Sequence, residues 1–103
     1  MNSDFPIACT LTPDQLRQGR EALLPGIIVR ASRHEPLDEG FRFHFTPCDG
    51  LIPAIAAMID AERRCCRFLR FTLTAEPGDG DLLLDVTGPP GTADFLSVWV
   101  PAP

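Results

Sequence analysis

The chain has 103 residues, of which 45% are hydrophobic and 22% are charged, and its net charge is −5 at pH 7. These values are typical of a single globular domain over residues 1–103 and exclude an intrinsically disordered chain. The acidic balance argues against a general binder of nucleic acid or of anionic membranes, because both ligands select clustered positive charge.

A strand and a helix are predicted at the start of the chain. Alternation and β-branched residues favour a strand over Ile7–Leu11. A helix follows, because Thr12 can cap it and Pro13 suits its first position, and Pro25–Gly26 then breaks or kinks it. The segment beyond is ambiguous between helix and strand. A four-residue spacing of apolar side chains leads us to predict a kinked helix that reaches about Arg33.

The middle of the chain predicts a turn, a strand and a long helix. Turn-forming residues occupy positions 35–40. Three phenylalanines alternate with polar residues over Phe41–Phe45, so we predict a strand with one buried and one solvated face. His44 lies on the solvated face and is predicted to be exposed. Asp49 is the predicted cap of the central helix, which runs to about Arg67.

The last third predicts a hairpin and a closing helix. Strands are predicted over Phe68–Ala75 and Asp81–Thr87, joined by a tight turn at Pro77–Gly80. A turn at Gly88–Gly91 precedes a short helix that Thr92 can cap. The order β-α-β-α-β-β-α predicts the α+β class, with a mostly antiparallel four-stranded sheet and helices packed on one face.

The central helix places a carboxylate in its core-facing stripe. At about 100° per residue, that stripe contains Leu51, Ile55, Ile59, Glu62, Cys66 and Leu69, with Met58 and Cys65 at one edge. A buried carboxylate needs a partner, because unpaired burial is costly. Cys65 and Cys66 follow Glu62 by three and four positions, so the three side chains are neighbours on a helix. Thiolates select soft ions, so Glu62, Cys65 and Cys66 are candidate ligands that can converge on one metal ion.

A structural alternative remains open for the same residues. Cysteine is among the residue types most often buried, so Cys66 can be plain core packing while Glu62 pairs with an arginine or with strand amides. The arginines at positions 63, 64, 67 and 70 either lower the pKa of the thiols or form a solvated face that pairs with acids such as Asp60. We prefer the solvated face.

The cysteines also bear on the compartment. The N-terminus has no signal-peptide pattern and no apolar stretch is long enough to span a bilayer, so we expect a cytoplasmic protein whose four cysteines are reduced. Adjacent Cα atoms are about 3.8 Å apart, below the roughly 4.4–6.8 Å usual for disulfides. A bond between Cys65 and Cys66 is therefore disfavoured. Cys9 and Cys48 are predicted to be ordinary core or surface thiols.

The segment from Ala61 to Phe95 resembles a family of small uncharacterised bacterial proteins that are met near heavy-metal, particularly mercury, resistance genes. The matching residues are Glu62, Cys65, Cys66, Phe68, Leu69, Gly88, Pro89, Phe95 and Leu96. Thr12 and Leu24–Gly26 look similar to the front half of the family. The family commonly has proline after the cysteine pair, where this chain has Arg67. The resemblance implies a bacterial protein in a heavy-metal context and supplies no mechanism.

Two functions from different classes follow. The leading hypothesis is thiol-based binding of a soft metal ion (Hg, Zn or Cu) or of a small thiophilic ligand. The alternative is a non-catalytic homodimeric interaction module with structural cysteines, in which Phe41, Phe43, Phe45 and Trp99 supply apolar surface. A thiol enzyme using Cys65 ranks third, because the sequence places no base beside it. We assign no catalytic residue.

Overall fold

The computed structural model describes residues 24–100, and seven elements follow one another within that range. They are α1 (Leu24–Ile28), β1 (Arg33–Leu37), β2 (Gly40–Phe45), α2 (Leu51–Cys65), β3 (Arg70–Ala75), β4 (Leu82–Thr87) and α3 (Thr92–Ser97). The α+β class and the four-stranded antiparallel sheet are confirmed, and the element order agrees roughly with the predicted one. The strand predicted at Ile7–Leu11 and the helix start at Thr12 lie outside the described residues.

The sheet has the order β1-β2-β4-β3, and every neighbouring pair is antiparallel. Its inner face is apolar because inward positions repeat at every second residue of each strand. On this face Phe43 of β2 pairs with Leu84 of β4, and Leu84 pairs with Leu73 of β3. Phe43, Phe45 and Leu84 are completely buried. The predicted alternation of β2 is therefore confirmed for its apolar face.

Helix α2 supplies the other half of the core. Its buried side chains include Leu51, Ile55 and Met58, which join the same apolar cluster as the sheet. Met58 takes a central position in the stripe and Ile59 lies at its partly exposed edge, which reverses the predicted places of these two residues. Leu96 of α3 completes the cluster. The spacing at about 100° per residue therefore predicted the buried face of α2 to within one residue position.

The prediction of a kinked helix to about Arg33 is wrong. Helix α1 ends at Ile28, and Arg33–Leu37 forms the edge strand of the sheet, where a turn had been predicted. Pro36 fits there because an edge strand leaves backbone amides without a ladder partner. Glu39, with a φ of 53°, completes the tight turn into β2. Pairing with β2 decides the conformation of this segment, and local apolar spacing does not report that pairing.

Two predicted helix caps are also wrong. The residue before α2 is Gly50, with a φ of 82°, and no side chain caps that end, so Asp49 does not. The residue before α3 is Gly91, and Thr92 is the first helical residue. Oε1 of Glu39 instead accepts hydrogen bonds from the amides of Gly91 and Ala93, at 3.1 and 3.2 Å. A cap supplied from a distant turn is invisible to local sequence patterns.

The outer face of the sheet carries ion pairs, and His44 is part of them. Only 6% of His44 is exposed, and its Nε2 lies 2.6 Å from Oε1 of Glu35, so the predicted solvent exposure is wrong. This hydrogen bond with His44 lowers the pKa of Glu35 below its ordinary value. Next to it, Arg42 donates two hydrogen bonds to Asp85, at 2.7 and 3.0 Å. These pairs connect β1, β2 and β4 on the face opposite the core.

Candidate metal centre

Helix α2 ends at the cysteine pair. Its last residue is Cys65, and Cys66 has left helical geometry with a φ of −115° and a ψ of 77°. The Cys66 amide still donates to the Glu62 carbonyl oxygen at 2.6 Å, which closes the last turn. The predicted end at about Arg67 is therefore two residues too late. The helix stops here although Arg67, unlike proline, does not prevent a helix from continuing.

Glu62, Cys65 and Cys66 converge at this helix end. The ligand atoms that they offer, one from each side chain, all lie within 4.8 Å of one another. All three residues are buried, with 2%, 1% and 2% exposure. The structure thus brings the three predicted ligands together. Cys48 is exposed and belongs to no such group among residues 24–100, and Cys9 lies outside the described residues.

The two oxygens of the Glu62 carboxylate differ in their surroundings. Oε2 accepts a hydrogen bond from the Leu24 amide at 2.8 Å. Oε1 is buried and has no hydrogen-bond partner within residues 24–100. None of the ion pairs observed within residues 24–100 joins an arginine to this carboxylate. A buried acceptor without a donor costs about 1–3 kcal/mol and more when charged, so Oε1 is an atom at which a cation or a proton would be stabilising.

The cysteines differ in oxidation state. Cys66 is a free thiol, and its Sγ donates to Sγ of Cys65 at 3.6 Å. The prediction that these neighbours are not bonded to each other is confirmed. Cys65 is disulfide-bonded, and its partner is neither Cys48 nor Cys66, which are both free. The expectation that all cysteines are reduced is wrong for Cys65, because an argument from compartment carries no information about which sulfurs meet in space.

The environment keeps the Cys66 thiol protonated. Burial, together with the nearby negative charge of Glu62, raises the pKa of Cys66 to about 12. The neighbouring arginines do not reverse this effect. Arg63 is exposed, and Arg64 contacts Asp60 at 3.2 Å with both side chains in solvent. The preferred interpretation of these arginines as a solvated face is supported, and a thiolate nucleophile at Cys66 is disfavoured.

Phe68, Gly88 and Phe95 lie close together just after the cysteine pair. The ring of Phe68 packs edge-on against Phe95, with centroids 5.1 Å apart. Gly88 approaches so closely that a Cβ there would lie 2.4 Å from Oγ1 of Thr92 and 3.2 Å from the Phe68 carbonyl oxygen. The turn before α3 therefore packs directly against the chain that leaves the cysteine pair. Glycine is required at position 88 because a larger residue would clash with these atoms.

One participant was missed by sequence reasoning. The Leu24 amide holds Oε2 of Glu62, and a backbone amide has no side-chain signature. Pro25 follows Leu24 in the sequence and indicates only a break or kink in a helix.

Comparison with known proteins adds no relative. No protein-family model, no curated protein and no solved structure matches this chain. Within residues 24–100 no helix combines the length and the apolar character needed to cross a membrane.

Proposed function

We propose that the protein binds a soft metal ion through the thiolates of Cys65 and Cys66, with Glu62 as third ligand or orienting base. One observation carries the proposal. Three buried side chains of ligand type meet within 4.8 Å, and one of their oxygens, Glu62 Oε1, has no partner within the described residues. Core packing explains why cysteines are buried. It does not explain why a carboxylate oxygen is buried without a hydrogen-bond partner.

Binding would exchange protons for metal. The Cys66 thiol is protonated at neutral pH because its pKa is raised to about 12, and a soft cation must displace that proton to form a metal–thiolate bond. The cation also neutralises the Glu62 charge that opposes ionisation of the thiol. Affinity is therefore expected to rise with pH. The resemblance to proteins met near mercury resistance genes fits this chemistry.

Binding would also require reduced Cys65. A sulfur in a disulfide offers no thiolate, so the oxidised protein retains only Cys66 and Glu62 of the three ligands. A dithiol reductant opens the disulfide by transferring two electrons and two protons and is itself oxidised to a disulfide. The cytoplasm, which is the compartment that the sequence leads us to propose, supplies such reductants.

A titration tests the proposal. Reduced protein is mixed with Hg(II), Zn(II) or Cu(I) under anaerobic conditions, and thiolate-to-metal absorption is followed. We expect one equivalent to bind in the wild type and none at this site in Cys65→Ser/Cys66→Ser. Cys48→Ser is the matched control, because Cys48 is an exposed thiol outside the cluster. Absence of stoichiometric binding, or equal binding in the double variant, would refute the proposal.

The homodimeric alternative has less support from the structure. Of the four side chains expected to supply its apolar surface, Phe43 and Phe45 are completely buried, and Phe41 and Trp99 are partly buried. Large apolar side chains that are exposed within the described residues are Val29, Ile52 and Val98, on three different elements or loops. Single exposed side chains of this kind are normal for a monomer. Dimerisation remains a prediction, which sedimentation at micromolar concentration tests.

A further inference from the structure

We infer that the site is shaped for a divalent cation in tetrahedral coordination, of the Zn(II) type, with three protein ligands and one open position. A cation that takes two thiolates in a straight line fits it less well. The inference rests on the proposed function, because it names the class of metal for the same three residues, Glu62, Cys65 and Cys66.

The distance between the two sulfurs favours tetrahedral over linear coordination. With metal–sulfur bonds of about 2.3 Å, two thiolates on a tetrahedral ion lie about 3.8 Å apart, and two thiolates on a linear ion lie about 4.6 Å apart. Sγ of Cys65 and Sγ of Cys66 are separated by 3.6 Å. The tetrahedral arrangement therefore needs a shift of a few tenths of an ångström. The linear arrangement needs the sulfurs to part by about 1 Å, and more for ions with longer bonds.

The comparison after reduction depends on how far the sulfur of Cys65 moves. The 3.6 Å separation belongs to the state in which Cys65 is disulfide-bonded, and reduction frees the Cys65 side chain to rotate. Consecutive residues at a helix end keep their Cα atoms about 3.8 Å apart. Both side chains also point into a packed interior, where outward movement of a sulfur displaces other atoms.

The carboxylate supplies the third ligand. A tetrahedral ion with bonds of about 2.1 Å to oxygen and 2.3 Å to sulfur separates those atoms by about 3.6 Å, and the three ligand atoms here already lie within 4.8 Å. The Leu24 amide holds Oε2 and so orients the carboxylate, as partners of metal ligands commonly do. Oε1 remains for the metal.

Charge balance favours a divalent ion. Two thiolates and one carboxylate bring three negative charges into a buried site. A divalent cation reduces the net charge of the site to −1, and a monovalent cation reduces it only to −2. Burial penalises each uncompensated charge. The C-terminal end of α2 also attracts a cation, because the dipole of a helix is negative there. The fourth position is open to water, to an external ligand or to the thiol that reduction of the Cys65 disulfide releases.

The experiment uses the full-length reduced protein with Co(II) as a spectroscopic substitute for Zn(II). We expect one equivalent of Co(II) to give the intense visible bands of a tetrahedral thiolate complex, and Zn(II) to displace it. X-ray absorption of the wild-type Zn(II) complex should show at least two sulfur neighbours and at least one lighter neighbour, and this measurement needs no variant. Octahedral Co(II) spectra, or zinc with sulfur neighbours only, would overturn the inference.

A variant pair separates the inference from the proposed function. Glu62→Gln should weaken Zn(II) binding about tenfold or more while leaving Hg(II) binding nearly unchanged, because two thiolates suffice for a linear ion. Asp60→Asn is the control, since Asp60 is exposed on the same helix. If Hg(II) binds with two sulfurs in a line and Zn(II) and Co(II) do not bind, the tetrahedral site is wrong and thiol-based binding survives. If no metal binds, both are wrong.

Discussion

The Oε2 atom of Glu62 accepts a hydrogen bond from the amide of Leu24 at 2.8 Å, across 38 positions of the chain. This contact joins α1 to the last turn of α2 and fixes one of the two oxygens of a buried carboxylate. It explains how Glu62 can be part of the fold and still leave its other oxygen, Oε1, for a ligand.

Glu62→Gln should separate these two roles. The glutamine carbonyl can still accept from the Leu24 amide, so we expect the free energy of unfolding to change by about 1 kcal/mol or less. Glu62→Ala removes the acceptor and should cost about 1–3 kcal/mol. Urea unfolding of the metal-free, reduced variants measures both values. A loss in Glu62→Gln as large as that in Glu62→Ala would show that the charge itself is structural.

Cys66→Ala should lose metal binding at a small cost in stability. Cys66 is 2% exposed and belongs to the core cluster, so removing its sulfur should cost about 1 kcal/mol. Cys48→Ala, at an exposed thiol, should change stability by less than about 0.5 kcal/mol and leave metal affinity intact. Thermal unfolding and metal titration of both variants make the comparison. Unchanged metal affinity in Cys66→Ala would remove this thiol from the site.

The free energy of unfolding should fall at alkaline pH because of Cys66. The folded pKa is about 12, while the unfolded thiol has a pKa of about 8.5. Between these values the folded state holds a proton that the unfolded state has lost, so stability is full below about pH 8.5 and declines above it. Urea unfolding from pH 8 upwards is compared with Cys66→Ala, which should decline less steeply. Parallel curves would mean that Cys66 does not titrate as described.

Oxidation state should control metal affinity. Oxidised protein, in which Cys65 is disulfide-bonded, should bind Zn(II) at least tenfold more weakly than reduced protein, because one of three ligands is missing. Both forms are freed of reductant before isothermal titration, and Cys48→Ser serves as background so that the exposed thiol does not compete. Equal affinity in the two forms would show that Cys65 is not a ligand.

Gly88→Ala should destabilise the turn that packs against the cysteine-bearing segment. The added Cβ would lie 2.4 Å from Oγ1 of Thr92, and overpacking of this kind costs about 1–3 kcal/mol. The double variant Gly88→Ala/Thr92→Ala removes the clashing hydroxyl and should recover part of that loss relative to Thr92→Ala alone. Denaturant unfolding of the three variants measures the coupling. If the two substitutions had additive effects on the free energy of unfolding, contact with the Thr92 hydroxyl would not be the cause of the loss.

Local patterns determined the parts of this protein that depend on neighbours in sequence. The alternation over Phe41–Phe45 and the apolar stripe of α2 predicted a strand and a helix face, because burial on a regular element repeats with the period of that element. The same periodicity placed Glu62 inward, beside Cys65 and Cys66. The α+β class followed from the order of the elements.

Only the tertiary structure decided which distant groups meet. The strand Arg33–Leu37 exists because β2 pairs with it, the amides that begin α3 are bound by Glu39 from another turn, and His44 is buried beside Glu35. The Leu24 amide at Glu62 and the disulfide at Cys65 belong to the same group of contacts. Periodicity reports the face of an element, whereas these contacts depend on chain packing between segments far apart in sequence.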